Sequence, residues 1–222
     1  MRSALSSIGL LILAINTLWF VVYSAQLGVQ GLLSDSPSDV SRVFLTDSIV
    51  ANVALAGHML AGAVLTIGAP LQALPILRNR WPRLHRRSGY GLLTAAVVTG
   101  VGGLVYIASV GTIGGAWMDF GFALYGAAIL FAAIKTVSHA VARQRRSHFE
   151  WAVRLVVLAV GSWIYRMHYA IWYGLTGGVA SNETFNGAFD RVQVLAFFVP
   201  YLVIAEVCLR LRRRNRTKAA VA

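Results

Sequence analysis

The stretch that decides the fold runs from His58 to Arg87, HMLAGAVLTIGAPLQALPILRNRWPRLHRR. It opens as an uncharged apolar run with a histidine near one end and a glutamine near the other. It then stops in a burst of arginines that contains a second histidine. An apolar run of this length can cross hydrocarbon, and arginines gathered at one end mark the side on which it stops. The rest of the chain can be placed against this unit in depth and in sidedness.

Composition points the same way. The 222 residues are 57% hydrophobic and 13% charged, with a mean hydropathy of +0.66. Soluble domains carry about 25% charged residues. A deficit this large, gathered into long uncharged runs, marks a chain whose solvent is lipid. The single cysteine, Cys208, excludes an internal disulfide and any CxxC redox or zinc motif. The net charge of +12 sits at the ends of apolar runs and is not interleaved with aromatics. The expected partners are therefore the lipid bilayer and anionic lipid headgroups at the cytoplasmic face, and not nucleic acid.

Six apolar segments follow one another, over residues 8–25, 49–77, 90–110, 120–141, 151–175 and 192–209. Each has roughly the 20 residues that a transmembrane helix needs. The period-two alternation of a membrane barrel is missing. The expected fold is all-α: a polytopic membrane protein built as a six-helix transmembrane bundle, one integral membrane domain over residues 1–222. The first segment reads as a retained helix and not as a signal peptide, because Tyr23 in Tyr23-Ser24-Ala25 spoils a small-x-small cleavage site.

Charge sets the orientation. The second connection holds Arg78, Arg80, Arg83, Arg86 and Arg87; the fourth holds Arg143, Arg145 and Arg146; the C-terminal tail holds Arg210, Arg212, Arg213, Arg214, Arg216 and Lys218. With six spans, all three lie on one side. The opposite loops hold Asp35, Asp39, Asp47, Asp119, Glu183 and Asp190 against only Arg42 and Arg191. Cytoplasmic loops carry the Lys/Arg excess, so the chain is expected in the cell (inner) membrane with both termini cytoplasmic.

Helical periodicity sorts the polar groups by face. Ala54, His58, Ala61, Leu65, Gly68 and Gln72 form one seam of the second segment. Its small residues let a neighbouring backbone come close, as do Ala95, Thr99 and Gly103 on the third. His58 and Gln72 lie about 21 Å apart along the axis, which puts His58 in the outer half and Gln72 near the inner boundary. On the fifth segment Arg154 lies about 9 Å in from His148, and on the sixth Glu206 lies about 6 Å in from Arg210. Matching depths predict an Arg154–Glu206 pair. Arg166 has no acidic partner at its depth. An arginine there needs water, a carbonyl or a ligand anion.

The ordered string His58, Pro70, Gln72, Arg78, His85 and Arg86 resembles that of the domain-of-unknown-function family 2306, predicted membrane proteins found mainly in bacteria. So do His148, Trp151, Arg154 and the later Arg166, and the string VPYLVIAE from Val199 to Glu206. The resemblance covers about residues 50–210. The chain departs from the family's HRxxGRxY at Tyr90 and from its WMxRS over Trp151–Leu155. The resemblance implies a small helical membrane protein and supplies no reaction.

Three function classes stay open. The first is a b-type haem protein using His58, His85 and His148 as cofactor ligands, with His139 and His168 less suited. Depth favours the inner side, with His85 facing His148 or His139. A zinc site at His85 and His148 has only Glu150 for company. The second class is a small-molecule or ion transporter, with His58, Gln72, Arg154, Arg166 and Glu206 lining a polar cavity. Six short helices without an inverted repeat or a broken helix are few for that, unless the protein forms a homo-oligomer. The third class is a structural or sensory subunit in which the polar residues only lock helices together. Enzyme chemistry has little support, since GxSxG, HExxH and paired carboxylates are missing. If there is a site, the expectation places it first at the cytoplasmic side, with Gln72, Arg78, His85, Arg86, His148, Trp151, Arg154 and Glu206, and second around His58 and Arg166.

Overall fold

The computed structural model describes residues 2–221, with side chains described over 7–215. The side chains of Arg216 and Lys218, which belong to the charge pattern above, lie outside the described residues. Helices take up 83% of the chain and there is no strand among the described residues. In order they are α1 (Arg2–Leu33), α2 (Pro37–Val40), α3 (Ile49–Gln72), α4 (Pro75–Arg80), α5 (Pro82–Val110), α6 (Gly115–Val141), α7 (Arg145–Ala159), α8 (Gly161–Thr176), α9 (Ala188–Ala196) and α10 (Val199–Val221).

Among the described residues five stretches are long and apolar enough to cross a membrane: Ser7–Leu33, Ile49–Gln72, Pro82–Val110, Gly115–Val141 and Ala188–Asn215. Prolines set several of their ends. The second segment is shorter than its apolar run, because Pro75 starts a separate helix, α4, and Pro82 starts α5. Gly111, at φ +72°, ends α5 in a conformation that an L side chain rarely adopts.

Helix α3 packs between α1 and α5, while α6 packs on α5 and α7. The seam of α3 faces α5. An added Cβ on Gly102 would meet the Ala54 carbonyl at 2.6 Å, and one on Gly68 would meet Leu92. Small residues there let the two backbones close up. The main core gathers Leu65, Ala96, Tyr125, Ile129, Leu158 and Phe197. Large apolar side chains such as Ile12, Ile15 and Trp19 on α1 stand exposed, as lipid contact requires.

The fifth apolar segment departs from expectation. It is not one helix but two, α7 and α8, meeting at Val160. The outer ladder bonds survive: Val160 N–H reaches the Val156 carbonyl at 3.3 Å, and Ile164 N–H reaches Val160 at 3.0 Å. Between them the helix is interrupted at Val160. Side chains from other helices bond the carbonyls at the break. The Tyr125 hydroxyl donates to the Leu158 carbonyl at 2.5 Å, and the Thr66 hydroxyl donates to the Ala159 carbonyl at 2.9 Å. The Ser162 backbone approaches the same Tyr125 oxygen. A hydroxyl inserted into the ladder is a recognised cause of a helix break, and the missing side chain of Gly161 makes room for it. An added Cβ there would sit 2.8 Å from the Tyr125 oxygen.

Candidate functional site

The residues expected at the cytoplasmic side fall into four small clusters. Gln72, at the end of α3, donates to the His85 carbonyl at 2.5 Å and accepts from Ser88 at 2.9 Å, tying α3 to the start of α5. The Nδ1 of His85 is buried without a partner. His148 donates from Nδ1 to the Thr136 carbonyl at 2.9 Å, joining α7 to α6. Arg154 donates to Glu206 at 2.5 Å while lying over the Trp151 ring at 4.6 Å, and Arg210 completes the cluster from 3.1 Å. Glu150 on α7, 7% exposed, binds Arg213 of α10 and Arg146 one turn away. Hydrogen bonds from Arg213, with the Arg146 charge nearby, hold the Glu150 carboxyl below its ordinary range. Arg78 and Arg86 are exposed. Arg78 lines an open basic cavity of about 370 Å³ with Arg145, Arg146, Arg212 and Arg213.

A second set of polar groups converges at membrane depth. His58 of α3, Arg166 of α8, Ser24 of α1, Thr99 of α5, and Tyr125 and Ser162 at the helix break line one cavity. It offers about 50 Å³ to water centres, room for a few waters at about 10–15 Å³ each. The His58 Nδ1 lies 2.7 Å from the Thr99 carbonyl. A carbonyl can only accept, so Nδ1 carries a proton, and in the neutral ring Nε2 keeps its lone pair. The ring fits because Gly103 has no side chain: a Cβ there would stand 2.9 Å from Nδ1.

Arg166 donates to the carbonyl of Ser162 at 3.3 Å and lies over the Phe20 ring at 4.8 Å. Among the described residues it makes no ion pair. The Thr99 hydroxyl oxygen is buried without a hydrogen-bond partner.

The structure thus separates residues that the motif strings list together. His58 and Arg166 share a cavity, whereas Gln72, His85, His148, Arg154 and Glu206 are engaged in pairs below it. His168 faces elsewhere, between Gln193 at 3.0 Å and Tyr201 at 2.7 Å. His139 bonds Gln144 at 2.6 Å on the surface. The space at His58 has room for a few waters, and neither His85 nor His148 lines that cavity or the basic one. Among the described residues no three of His, Cys, Asp and Glu come together as metal ligands.

Four contributors are hard to read from sequence. Tyr125, Thr66 and Thr99 are single hydroxyls in apolar runs, and their only signal is a polar atom at membrane depth. Asp190 counts in the sequence as an outer loop charge, yet it is 0% exposed. It accepts from Tyr169 at 2.8 Å, Ser181 at 2.7 Å, and the amides of Gly187 at 3.0 Å and Asn182 at 3.2 Å. That carboxylate folds the outer loop around itself.

Searches of the curated proteins and of the solved structures found no match to this chain. The sequence model of one protein family, described as "Predicted membrane protein (DUF2306)", matches residues 55–209, and the chain belongs to that family.

Proposed function

We propose that this DUF2306 protein is a six-span protein of the cell membrane, with both termini cytoplasmic, that binds and moves a small polar solute through the cavity at the break between α7 and α8. The six-span reading rests on contacts at the two ends of that segment. At its start, Glu150 is joined to Arg213 near the end of α10. Beyond its end, the Glu183 carbonyl is joined to Arg42, which follows α1. Contact with the C-terminal arginines at one end and with the loop after α1 at the other supports reading this segment as a crossing one. Arginines at the ends of α3, α6 and α10 support the orientation.

The helix break carries the functional reading. Irregular backbone at membrane depth persists only where protein or a cavity satisfies it, and transporters place their sites at such breaks. Here the break is satisfied by Tyr125 and Thr66, and both line the cavity. The cytoplasmic clusters serve packing on this reading, because their carboxylates and amide are already bonded to protein. The open basic cavity with Arg78 offers its excess positive charge to anionic headgroups.

Reconstitution into liposomes tests the proposal. Radiolabelled solutes from a panel of small ions and metabolites should enter in a saturable way, and Arg166→Ala or His58→Ala should abolish that entry. Leakage identical to protein-free liposomes across the panel would refute it.

A further inference from the structure

We propose that the cavity at the helix break holds a small monovalent anion. This rests on the reading of that cavity as a solute site and adds the chemical class of the solute.

Charge is the first argument. Arg166 is the only lining residue with a permanent charge, and no carboxylate lines the cavity. A guanidinium at membrane depth is expensive unless something opposite in charge or strongly hydrogen-bonding stands beside it. A bound anion supplies that partner, in the geometry for which the guanidinium fork is suited.

Donors are the second argument. Thr99 lines the cavity, the residue is 5% exposed, and its buried hydroxyl has no partner. The hydroxyls of Thr66 and Tyr125 already donate to the carbonyls at the break.

Size and the remaining wall define the class. A space of about 50 Å³ for water centres admits an anion of a few heavy atoms, such as chloride, nitrate or formate. One guanidinium balances one negative charge. The lone pair left on His58 Nε2 opposes a second, so a phosphate dianion is disfavoured.

The test uses the whole protein in detergent micelles. Thermal unfolding is followed by tryptophan fluorescence while gluconate, too bulky for the cavity, is replaced by chloride, nitrate or formate at constant ionic strength. The exposed arginines of the cytoplasmic side then see the same screening throughout. Tm should rise saturably with each small anion. Arg166→Gln should weaken the apparent affinity by about tenfold or more, the scale of one charge-assisted hydrogen bond. Thr99→Val, which keeps the shape and removes the donor, should weaken it by about threefold. Should Arg166→Gln fail to fold, Thr99→Val decides alone. No saturable response in the wild-type protein, or the same affinity in the variants, overturns the anion site. Saturable binding without any flux in liposomes supports the anion site and overturns transport. Flux of an uncharged solute without an anion response does the reverse.

Discussion

Arg154 and Arg166 stand twelve residues apart, one on each side of the break at Val160, and the protein uses them in opposite ways. Arg154 lies on an aromatic ring, donates to Glu206 and belongs to a cluster that ties α7 to α10. Arg166 also lies on an aromatic ring, yet its polar partner is a carbonyl of its own helix and its surroundings are a cavity. The same residue type is tied into an ion pair in one place and stands beside a cavity, without an ion pair among the described residues, in the other. Arginine at membrane depth is therefore not by itself a sign of function. The sign is an arginine whose neighbours leave it uncompensated beside space.

The largest effect should come from Arg166→Met set against Arg154→Met. Removing Arg166 should cut solute flux by about a hundredfold, near 2.7 kcal/mol, and leave Tm unchanged or higher, because an uncompensated charge is deleted. Removing Arg154 should lower Tm and leave flux within a few-fold. Flux assays and thermal scans that gave the two variants the same pattern would break the comparison.

Tyr125→Phe comes next. It takes the hydroxyl from the Leu158 carbonyl and should cost about 1–3 kcal/mol in denaturant titrations. It should also reduce flux, since the break then loses its wedge. A double-mutant cycle on Arg154 and Glu206 should show a coupling of about 0.5–1 kcal/mol. The value stays modest because the Glu206 side chain is 32% exposed and keeps Arg210 as a second partner.

The smallest effect concerns pH. Glu150 has a lowered folded pKa, so its contribution is complete above its ordinary value and disappears as pH falls through the folded one. Tm should therefore decline on acidification below the usual carboxylate range, and Glu150→Gln should remove that part of the slope. The change should be a few degrees at most, because the Arg213 side chain is 44% exposed and screened.

What was legible in the sequence follows from local periodicity and depth. The seam on α3 can be read because its small residues recur at helical spacing, and α5 packs on it. The pairing of Arg154 with Glu206 can be read because both are rare charges at matching depth. The break at Val160 cannot, because its causes are hydroxyls 35 residues before it on α6 and 94 before it on α3, each ordinary in its own helix. The burial of Asp190 is hidden for a similar reason: its donors come from a loop whose fold depends on the carboxylate itself. The sequence-based preference for the cytoplasmic side reflects where charged residues are dense. The structure shows that the two carboxylates there, Glu150 and Glu206, are already taken in pairs.

The divided segment also bears on how the protein enters the membrane. Neither α7, with 15 residues, nor α8, with 16, reaches the roughly 20 that a span needs. Each half carries an arginine, a residue that an inserting helix tolerates poorly at its centre. On the six-span reading this segment cannot partition into lipid on its own merit. Its two open carbonyls find donors only after α3 and α6 are in place to present Thr66 and Tyr125. Biogenesis is then ordered by the chain itself: the earlier helices form the solvent into which the broken one dissolves, and the cavity comes into being at the moment of that last docking.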